Sequence, residues 1–325
     1  MNLHWGKRTL NGKVFNPLVS IVIPVYNGAN YLREAIDSSL AQTYANIEVL
    51  VINDGSNDSR ATEEIALSFG DRIRYFSKVN GGVASALNLG ISEMHGEYFS
   101  WLSHDDVYYP EKIEMQINLL DSLNNKNAIV FSGWHIIDSS GHVLNEVLPL
   151  ERYDKEQLET PLFALLNGMI SGCSLLIHKG HFERIGTFNE HLVSTQDFDL
   201  WFRMMRNQPC RICDGVLHKT RVHDRQGSKV LGELHIKESN KLWIYIMKQL
   251  TEEEMTVISG SVQKFYQDIF LLLVKYTNNK EAVQFAKKRA FSGFLGLVRI
   301  NVITIYVLFR ECLSLVKRNL LHERG

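Results

Sequence analysis

The stretch that decides the fold is Tyr98-Phe99-Ser100-Trp101-Leu102-Ser103-His104-Asp105-Asp106. Its first half is short, apolar and aromatic, which is typical of a β-strand, and it leads into two adjacent carboxylates. Ligands of open α/β sheets bind beyond the C-terminal ends of the strands. Two neighbouring carboxylates repel each other unless a positive charge lies near, and a divalent cation carrying a phosphate would supply that charge. The alternative is a solvated turn in which aspartate caps the next helix.

Apolar runs alternate with helical patterns through the first hundred residues. Strands are expected at 19–24, 47–52 and 73–77, and helices at 30–43, 58–69 and 84–94. This alternation predicts a parallel sheet with right-handed crossovers. Polar loops follow three of the strands, at Tyr26 and Asn27, at Asp54, and at Asp105 and Asp106. If these strands are neighbours, the three loops line one edge and form a nucleotide-sized site.

The pattern changes after Pro110, which can open a helix because proline lacks only an N–H that is unpaired there. Strands at 128–134 and 142–147 flank a Ser-Ser-Gly turn, which predicts a hairpin and therefore a mixed sheet. Further strands are expected at 172–178 and 216–222, and helices at 158–166, at 182–188 and from 194. Ser194 or Thr195 can cap the last helix, whose acidic first turn suits the helix dipole.

Composition and charge are those of an ordinary globular protein. Of the 325 residues 45% are hydrophobic and 22% are charged, and the net charge of −1 gives no reason to expect binding to nucleic acid. Four cysteines are too few for a disulfide scaffold and fit a reducing compartment. Cys210 and Cys213 have zinc-like spacing but no second pair. The polar residues 1–17 do not resemble a signal peptide, so we expect a cytoplasmic protein.

The sequence predicts an N-terminal arm at 1–17, an α/β domain at 18–230 and a helical region at 231–325. Residues 291–321 are apolar but interrupted by arginines, and the longest uncharged run, 300–309, is too short to span a bilayer. Two interpretations stay open for this segment. It is either a helix lying on the inner face of an anionic membrane, or a helix packed on the α/β domain or in a homo-oligomer.

Six short motifs occur in an order that resembles the inverting family 2 glycosyltransferases, which have the GT-A fold and use nucleotide-diphosphate sugars. The motifs are Pro24-Val25-Tyr26-Asn27, Asn53-Asp54-Gly55-Ser56, the stretch from Asn80-Gly81-Gly82 through Asn88 to Gly90, Asp105-Asp106, Gln196-Asp197, and Arg221-Val222-His223 followed by Ser228. Three residues depart from the family pattern, because Asn53, Ser103 and Gln196 stand where relatives carry acidic residues. The resemblance covers residues 18–228 and implies an α/β GT-A domain with a mixed, mostly parallel, Rossmann-like sheet flanked by helices.

The resemblance also implies a role for each motif. The residues that would contact or shape the nucleotide-sugar site are Pro24, Tyr26, Asn27, Asp54, Asn80, Gly82, Asn88 and Asp105. Asp106 and His223 would bind Mg²⁺ or Mn²⁺ at the donor diphosphate, which stabilises the leaving group. Asp197 would be the general base that takes the proton from the acceptor hydroxyl. The implied activity is transfer of a sugar, most simply from a UDP-sugar, to a glycan or lipid-linked acceptor, as in surface polysaccharide synthesis.

Two other functions are a nucleotidyltransferase and a non-catalytic protein that binds nucleotide sugars. A nucleotidyltransferase should carry a basic phosphate-binding loop after its first strand, but residues 25–30 contain no lysine or arginine. A non-catalytic protein that only binds nucleotide sugars would have no need of a base, and Asp197 and His223 are both present. The sequence therefore favours the transferase.

Overall fold

The computed structural model describes residues 15–224, 226 and 230–292. Contacts between residues divide the chain into unit 1 (Met1–Glu238) and unit 2 (Ser239–Gly325). The sequence places this boundary at residue 230, and residues 225 and 227–229 beside it lie outside the described part of the chain. The same is true of residues 1–14, most of the predicted arm.

The strands of unit 1 form two sheets. In chain order the strands are β1 (Val19–Val25), β2 (Ile47–Asn53), β3 (Arg74–Ser77), β4 (Tyr98–Trp101), β5 (Val107–Tyr108), β6 (Ile129–Ile137), β7 (Val143–Val147), β8 (Ile177–His178) and β9 (Cys210–Arg221). One sheet has the order β3-β2-β1-β4-β8 and the other has the order β5-β9-β6-β7.

Helices connect and flank these strands. In chain order they are α1 (Leu32–Leu40), α2 (Ala61–Leu67), α3 (Val83–Glu93), α4 (Lys112–Ser122), α5 (Pro149–Arg152), α6 (Lys155–Glu159), α7 (Phe163–Leu166), α8 (Gly180–Ile185) and α9 (Gln196–Met205). A further helix, α10 (Gly232–Gln249), begins in unit 1 and continues into unit 2.

The first sheet confirms the predicted βα alternation. Strands β1 to β4 are parallel, and α1, α2 and α3 make the connections between them. All seven residues of β1 are buried, as its continuous apolar sequence predicts. Since β2, β1 and β4 are neighbours, the loops after them meet at one edge of the sheet. The convergence of the three polar loops is therefore a property of the fold.

The predicted hairpin belongs to the second sheet and does not extend the first. Strands β6 and β7 are antiparallel, while β6 and β9 are parallel. Strand β9 begins at Cys210, well before the predicted start at residue 216. The register between β6 and β9 shifts beside Gly133, and Gly215 has φ of 101°, so an irregularity divides one long strand into two short sequence patterns.

The segment before β8 is a turn and not the predicted strand. Gly172–Ser174 forms one turn of 3₁₀-helix, and only Ile177 and His178 pair with β4. A side chain at Gly172 would collide with the ring of Trp101, which explains the glycine. The turn brings the Cys173 thiol to the end of β4. The predicted helix at 158–166 is likewise divided into α6 and α7.

A buried lysine supports the polar side of β4. Lys112 in α4 is fully buried, and its Nζ donates to Ser100 Oγ (3.1 Å) and to Gln116 Oε1 (2.9 Å). The same Nζ lies 4.3 Å from the centre of the Tyr108 ring. Burial lowers the pKa of Lys112 to about 7, because the charged ammonium loses its hydration.

Unit 2 is helical throughout its described part. It contains the end of α10, then α11 (Glu252–Ser259), α12 (Val262–Tyr276) and α13 (Lys280–Ala290). Thr251 and Glu254 form a reciprocal capping box at the start of α11. Within the described residues, no helix is both long enough and apolar enough to cross a bilayer. The predictions for residues 291–321 fall, apart from the first two of them, outside the described part of the chain.

Replacing Lys112 by methionine is expected to raise the free energy of unfolding at pH 7 by on the order of 2 kcal/mol. The pKa of this lysine is about 7 in the folded protein, against about 10.4 in an unfolded chain. Between pH 7 and pH 10, the unfolded wild type therefore binds more protons at this lysine than the folded wild type does. The free energy of unfolding of the wild type thus rises with pH in this range. Denaturant unfolding should show a gain for the variant that shrinks from pH 7 towards pH 10. A gain independent of pH would contradict the lowered pKa.

Candidate active site

Asp54 ties together the loops that follow β2 and β3. Its buried carboxylate accepts hydrogen bonds from the backbone N–H groups of Gly81 (3.0 Å) and Gly82 (2.7 Å), and Lys78 Nζ lies 2.9 Å away. Asn80 Nδ2 donates to the carbonyl oxygen of Asp54 (2.9 Å). Gly82 has φ of 84°, a conformation that favours glycine. The structure thus brings Asp54, Asn80 and Gly82 together in one loop cluster.

The loop after β1 presents an exposed aromatic ring. Asn27 has φ of 51°, and its side-chain amide pairs with Asn57 through two hydrogen bonds of 2.7 and 2.8 Å. Pro24 is buried within β1. Tyr26, by contrast, is 45% exposed and stands between them in sequence. Of the three residues predicted here, Tyr26 offers its side chain to a ligand, while Pro24 and Asn27 shape the loop.

The Asn88 side chain holds the backbone of the segment before α9. Its Nδ2 donates to the Phe188 carbonyl (2.9 Å) and to Glu190 Oε1 (2.8 Å), and its Oδ1 accepts from the Phe188 N–H (2.9 Å). These contacts join α3 to the segment that leads into α9. The sequence assigned Asn88 to the donor site, and the structure shows a bridge between two elements.

A buried guanidinium holds the end of β9 against the carboxylate loop. The Arg221 side chain is 2% exposed, and its Nε donates to the Asp105 carbonyl (2.9 Å). Its Nη1 reaches the carbonyls of the 138–139 turn (3.4 and 3.3 Å), and its Nη2 pairs with Glu34 (2.6 Å). The guanidinium carbon lies 4.4 Å from the centre of the Tyr31 ring. Three separate segments therefore contact one side chain, namely the loop after β4, the 138–139 turn and the start of α1.

His223 lies next to Asp105. Its Nε2 is 2.9 Å from Asp105 Oδ2, both side chains are nearly buried, and the Tyr31 ring packs against the imidazole with 5.4 Å between ring centres. A carboxylate oxygen and an imidazole nitrogen are both ligands of Mn²⁺ and related ions. Two neighbouring ligands of an octahedral ion with bonds of about 2.1 Å lie about 3 Å apart, so this pair fits two positions of one ion.

Asp106 points into the protein, and its predicted role as a metal ligand together with His223 stays a prediction. Its Oδ1 accepts the Arg221 backbone N–H (2.8 Å), and its Oδ2 lies 3.3 Å from the Cys173 thiol. Burial, followed by the charge of Asp105, holds the pKa of Asp106 above the ordinary aspartate range. The residue beside His223 is Asp105. In the described part of the chain no group of three His, Cys, Asp or Glu side chains is placed to hold a metal ion.

Asp197 lies in the first turn of α9. Its Oδ1 accepts the Phe198 backbone N–H (2.8 Å). Burial raises its pKa above the ordinary aspartate value, against the opposing effects of this hydrogen bond and of the charge on His235. Within the described residues, no hydrogen bond or ion pair links its carboxylate to Asp54, Asp105 or His223. A half-buried carboxylate with a raised pKa is suited to accept a proton.

Sequence reasoning missed several residues that shape the site. The sequence singles out Arg221 only as part of a motif, and it does not single out Tyr31, Lys78 or Cys173. The burial of Arg221 could not be predicted from the sequence, because a single charged residue at a strand end is usually exposed. Lys78 directly follows β3. Polar residues just after a strand of an open α/β sheet are candidate site residues, so the reasoning that identified Asp54 could also have identified Lys78.

The chain belongs to glycosyl transferase family 2, whose sequence model matches residues 20–186. It is 50% identical over 293 residues to an uncharacterised glycosyltransferase of Rickettsia typhi, an alignment that covers 89% of this chain and 91% of that protein. An uncharacterised glycosyltransferase of Rickettsia felis is 51% identical over 277 residues. This alignment covers 85% of this chain but only 46% of the length of that relative. The hyaluronan synthase of Pasteurella multocida is 30% identical over 66% of this chain and 22% of its own length.

Solved structures confirm the predicted GT-A fold. Residues 1–349 of Staphylococcus aureus TarS, in complex with UDP-GlcNAc, align with a TM-score of 0.54 at 14% identity over 83% of this chain and 90% of that one. The mannosyltransferase PcManGT of Pyrobaculum calidifontis, in complex with GDP-Man and Mn²⁺, aligns with a TM-score of 0.55 at 15% identity over 90% of this chain and 81% of that one. The protein is therefore a glycosyltransferase with this fold.

Arg221→Lys is expected to lower the free energy of unfolding by about 3 kcal/mol, because lysine cannot replace the forked contacts to several carbonyl groups. Glu34→Gln is the matched control. Glu34 is 54% exposed, so losing its charge should cost less than about 1 kcal/mol. Denaturant unfolding of both variants measures the difference. Equal losses would show that the ion pair, and not the backbone contacts, holds this junction.

Proposed function

We propose that this chain is a metal-dependent, inverting glycosyltransferase that moves a sugar from a UDP-sugar to a hydroxyl group of a glycan or lipid-linked glycan. The observation that carries the proposal is the Asp105–His223 pair, which lies at the same sheet edge as the loop cluster around Asp54. The separate carboxylate of Asp197 completes the set of groups that such a reaction needs.

The nucleotide would lie across the loops after β1, β2 and β3. Tyr26 supplies an exposed ring for stacking against a base, and the Asp54 cluster supplies fixed polar groups next to it. TarS and PcManGT, which share the fold, were solved with UDP-GlcNAc and GDP-Man. These complexes support a nucleotide-sugar donor. The choice of uracil over guanine rests on the resemblance alone.

Asp105 and His223 would hold Mg²⁺ or Mn²⁺, with donor phosphate oxygens and water completing the coordination. When bound, such an ion offsets the negative charge that develops on the leaving nucleoside diphosphate. The Nε and both terminal nitrogens of Arg221 contact oxygens of the protein. Its contribution is to fix the Asp105 backbone. PcManGT, solved with Mn²⁺, supports the choice of ion.

Asp197 would act as the general base. As the acceptor oxygen bonds to the anomeric carbon, the bond from that carbon to the diphosphate breaks and the hydroxyl proton passes to the Asp197 carboxylate. A single displacement of this kind inverts the anomeric centre. Only one carboxylate takes part in proton transfer, in contrast to the paired carboxylates of glycosidases.

Polysaccharide synthesis is the setting that we propose. Hyaluronan synthase and chondroitin synthase of Pasteurella multocida are among the relatives, at 30% and 32% identity over parts of this chain. A glycan or lipid-linked glycan acceptor would fit this kinship. Action at the cytoplasmic face of a membrane, through residues 291–321, stays a prediction.

Asp197→Asn is expected to reduce turnover by roughly 100-fold or more without lowering the melting temperature. The pKa of Asp197 is raised by folding, so its ionised form costs stability above that pKa, and asparagine removes the cost. For the same reason the acid limb of the wild-type pH profile should lie above the ordinary aspartate range. UDP or GDP release from UDP-GlcNAc and GDP-mannose with Mn²⁺ measures turnover.

Asp199→Asn is the control for this variant, two residues further along the same helix. Asp199 pairs with Arg203 (2.9 Å), so its replacement should lower the melting temperature and leave turnover nearly unchanged. Retained turnover in the Asp197 variant would refute its assignment as the base.

Asp105→Asn should abolish the Mn²⁺-dependent rise in melting temperature that UDP produces, because a ligand stabilises the fold only in proportion to its binding. Asp106→Asn should keep that rise, since the asparagine oxygen can still accept the Arg221 N–H. Thermal unfolding with UDP, with and without Mn²⁺, compares the two. The opposite pattern would restore Asp106 as the metal ligand.

A further inference from the structure

The loop before the proposed base is held by a glutamate of α10. The Glu238 carboxylate accepts hydrogen bonds from the backbone N–H groups of Val193 (3.0 Å) and Ser194 (2.9 Å), and from the hydroxyls of Ser194 (2.9 Å) and Thr195 (3.4 Å). Burial alone would raise the pKa of Glu238, but these hydrogen bonds outweigh it and lower the pKa below its ordinary value. The carboxylate is therefore a fixed negative charge that binds three consecutive residues.

This contact replaces the usual cap of a helix. Thr195 is the N-cap residue of α9, as the sequence allowed, but its side chain makes no capping hydrogen bond to the helix. The hydroxyl is directed to Glu238 instead. A negative charge next to the N-terminus also suits the helix dipole. Glu238 thus fixes the start of α9, two residues before Asp197.

His235 continues the same hydrogen-bond chain. Its Nδ1 lies 3.1 Å from Ser194 Oγ. The Ser194 hydroxyl has one proton, which it donates to Glu238, so the hydroxyl oxygen must accept from Nδ1–H of His235. The histidine is therefore fixed in one orientation. The positive charge that His235 can carry lowers the pKa of Asp197, against the larger, opposite effect of burial.

We propose that Glu238 and His235 are positioning residues for the general base. Glu238 fixes the place of Asp197 through the 193–195 loop, and His235 holds the same loop through the Ser194 hydroxyl. The inference rests on the proposed role of Asp197. It also assigns the first part of α10 to the catalytic machinery, although the sequence placed residues from 231 onward in a separate helical region.

Glu238→Gln tests the positioning role, with the exposed Glu233→Gln on the same helix as the control. The glutamine amide cannot accept the Val193 and Ser194 N–H groups as the carboxylate does. We expect a fall in kcat on the order of 10- to 100-fold, with the KM for UDP-GlcNAc or GDP-mannose within about twofold, because Asp54 and Asp105 are untouched. Hydrogen exchange at the amides of Val193 and Ser194 should become faster. Behaviour like that of the Glu233 variant in both measurements would overturn the proposal.

His235→Ala tests the hydrogen bond to Ser194. Alanine removes the Nδ1–H donor, while the Ser194 hydroxyl can still donate to Glu238. Hydrogen exchange at the Ser194 amide should become faster than in the wild type, and kcat should fall while the KM for UDP-GlcNAc or GDP-mannose stays within about twofold. Exchange and kcat equal to those of the wild type would overturn this part of the proposal, even if Glu238→Gln fails to fold.

The failure of this inference is distinguishable from that of the proposed function. If Asp197→Asn keeps its turnover, Asp197 is not the base, and the positioning proposal falls with it. If Asp197→Asn is inactive while Glu238→Gln matches the Glu233 control and His235→Ala matches the wild type, the base stands and the positioning role is refuted.

Discussion

The structure of the site depends on the burial of one guanidinium group. Arg221 is almost completely removed from water, so each of its donors must find an oxygen within the protein. The oxygens lie on the loop after β4, on the turn after β6 and on α1. His223 follows Arg221 by two residues. The hydrogen bonds that fix Arg221 therefore also fix the position of the His223 imidazole. The two sheets are thereby aligned at the edge where the proposed ligands meet.

The two neighbouring aspartates differ because of this burial. The Asp106 side chain is turned inward to the Arg221 N–H and the Cys173 thiol, while the Asp105 side chain reaches His223. Repulsion between the carboxylates is reduced because they face different partners. Asp197 lies on a different element, α9, where its carboxylate accepts a backbone N–H. The proposed metal chemistry and proton transfer therefore use carboxylates in distinct environments.

Much of the fold could be predicted because the first four strands carry uninterrupted apolar runs, each followed by a polar loop. The motif order was enough to identify the family and the sheet edge. The partner of His223 could not be predicted, since Asp105 lies 118 residues away and the register of β9 depends on an irregularity beside Gly215. Glu238 was missed for another reason: on a helix rich in charged residues, a glutamate is expected to be solvated, and only tertiary structure shows that it binds the 193–195 loop.

The most direct test of this account is a crystal structure of the protein with UDP and Mn²⁺, in which anomalous scattering locates the ion. The account predicts one Mn²⁺ bonded to Asp105 and His223 and to oxygens of the diphosphate, with Arg221 still holding the Asp105 carbonyl. An ion bonded to Asp106, or a diphosphate bound away from the Asp105–His223 pair, would contradict it.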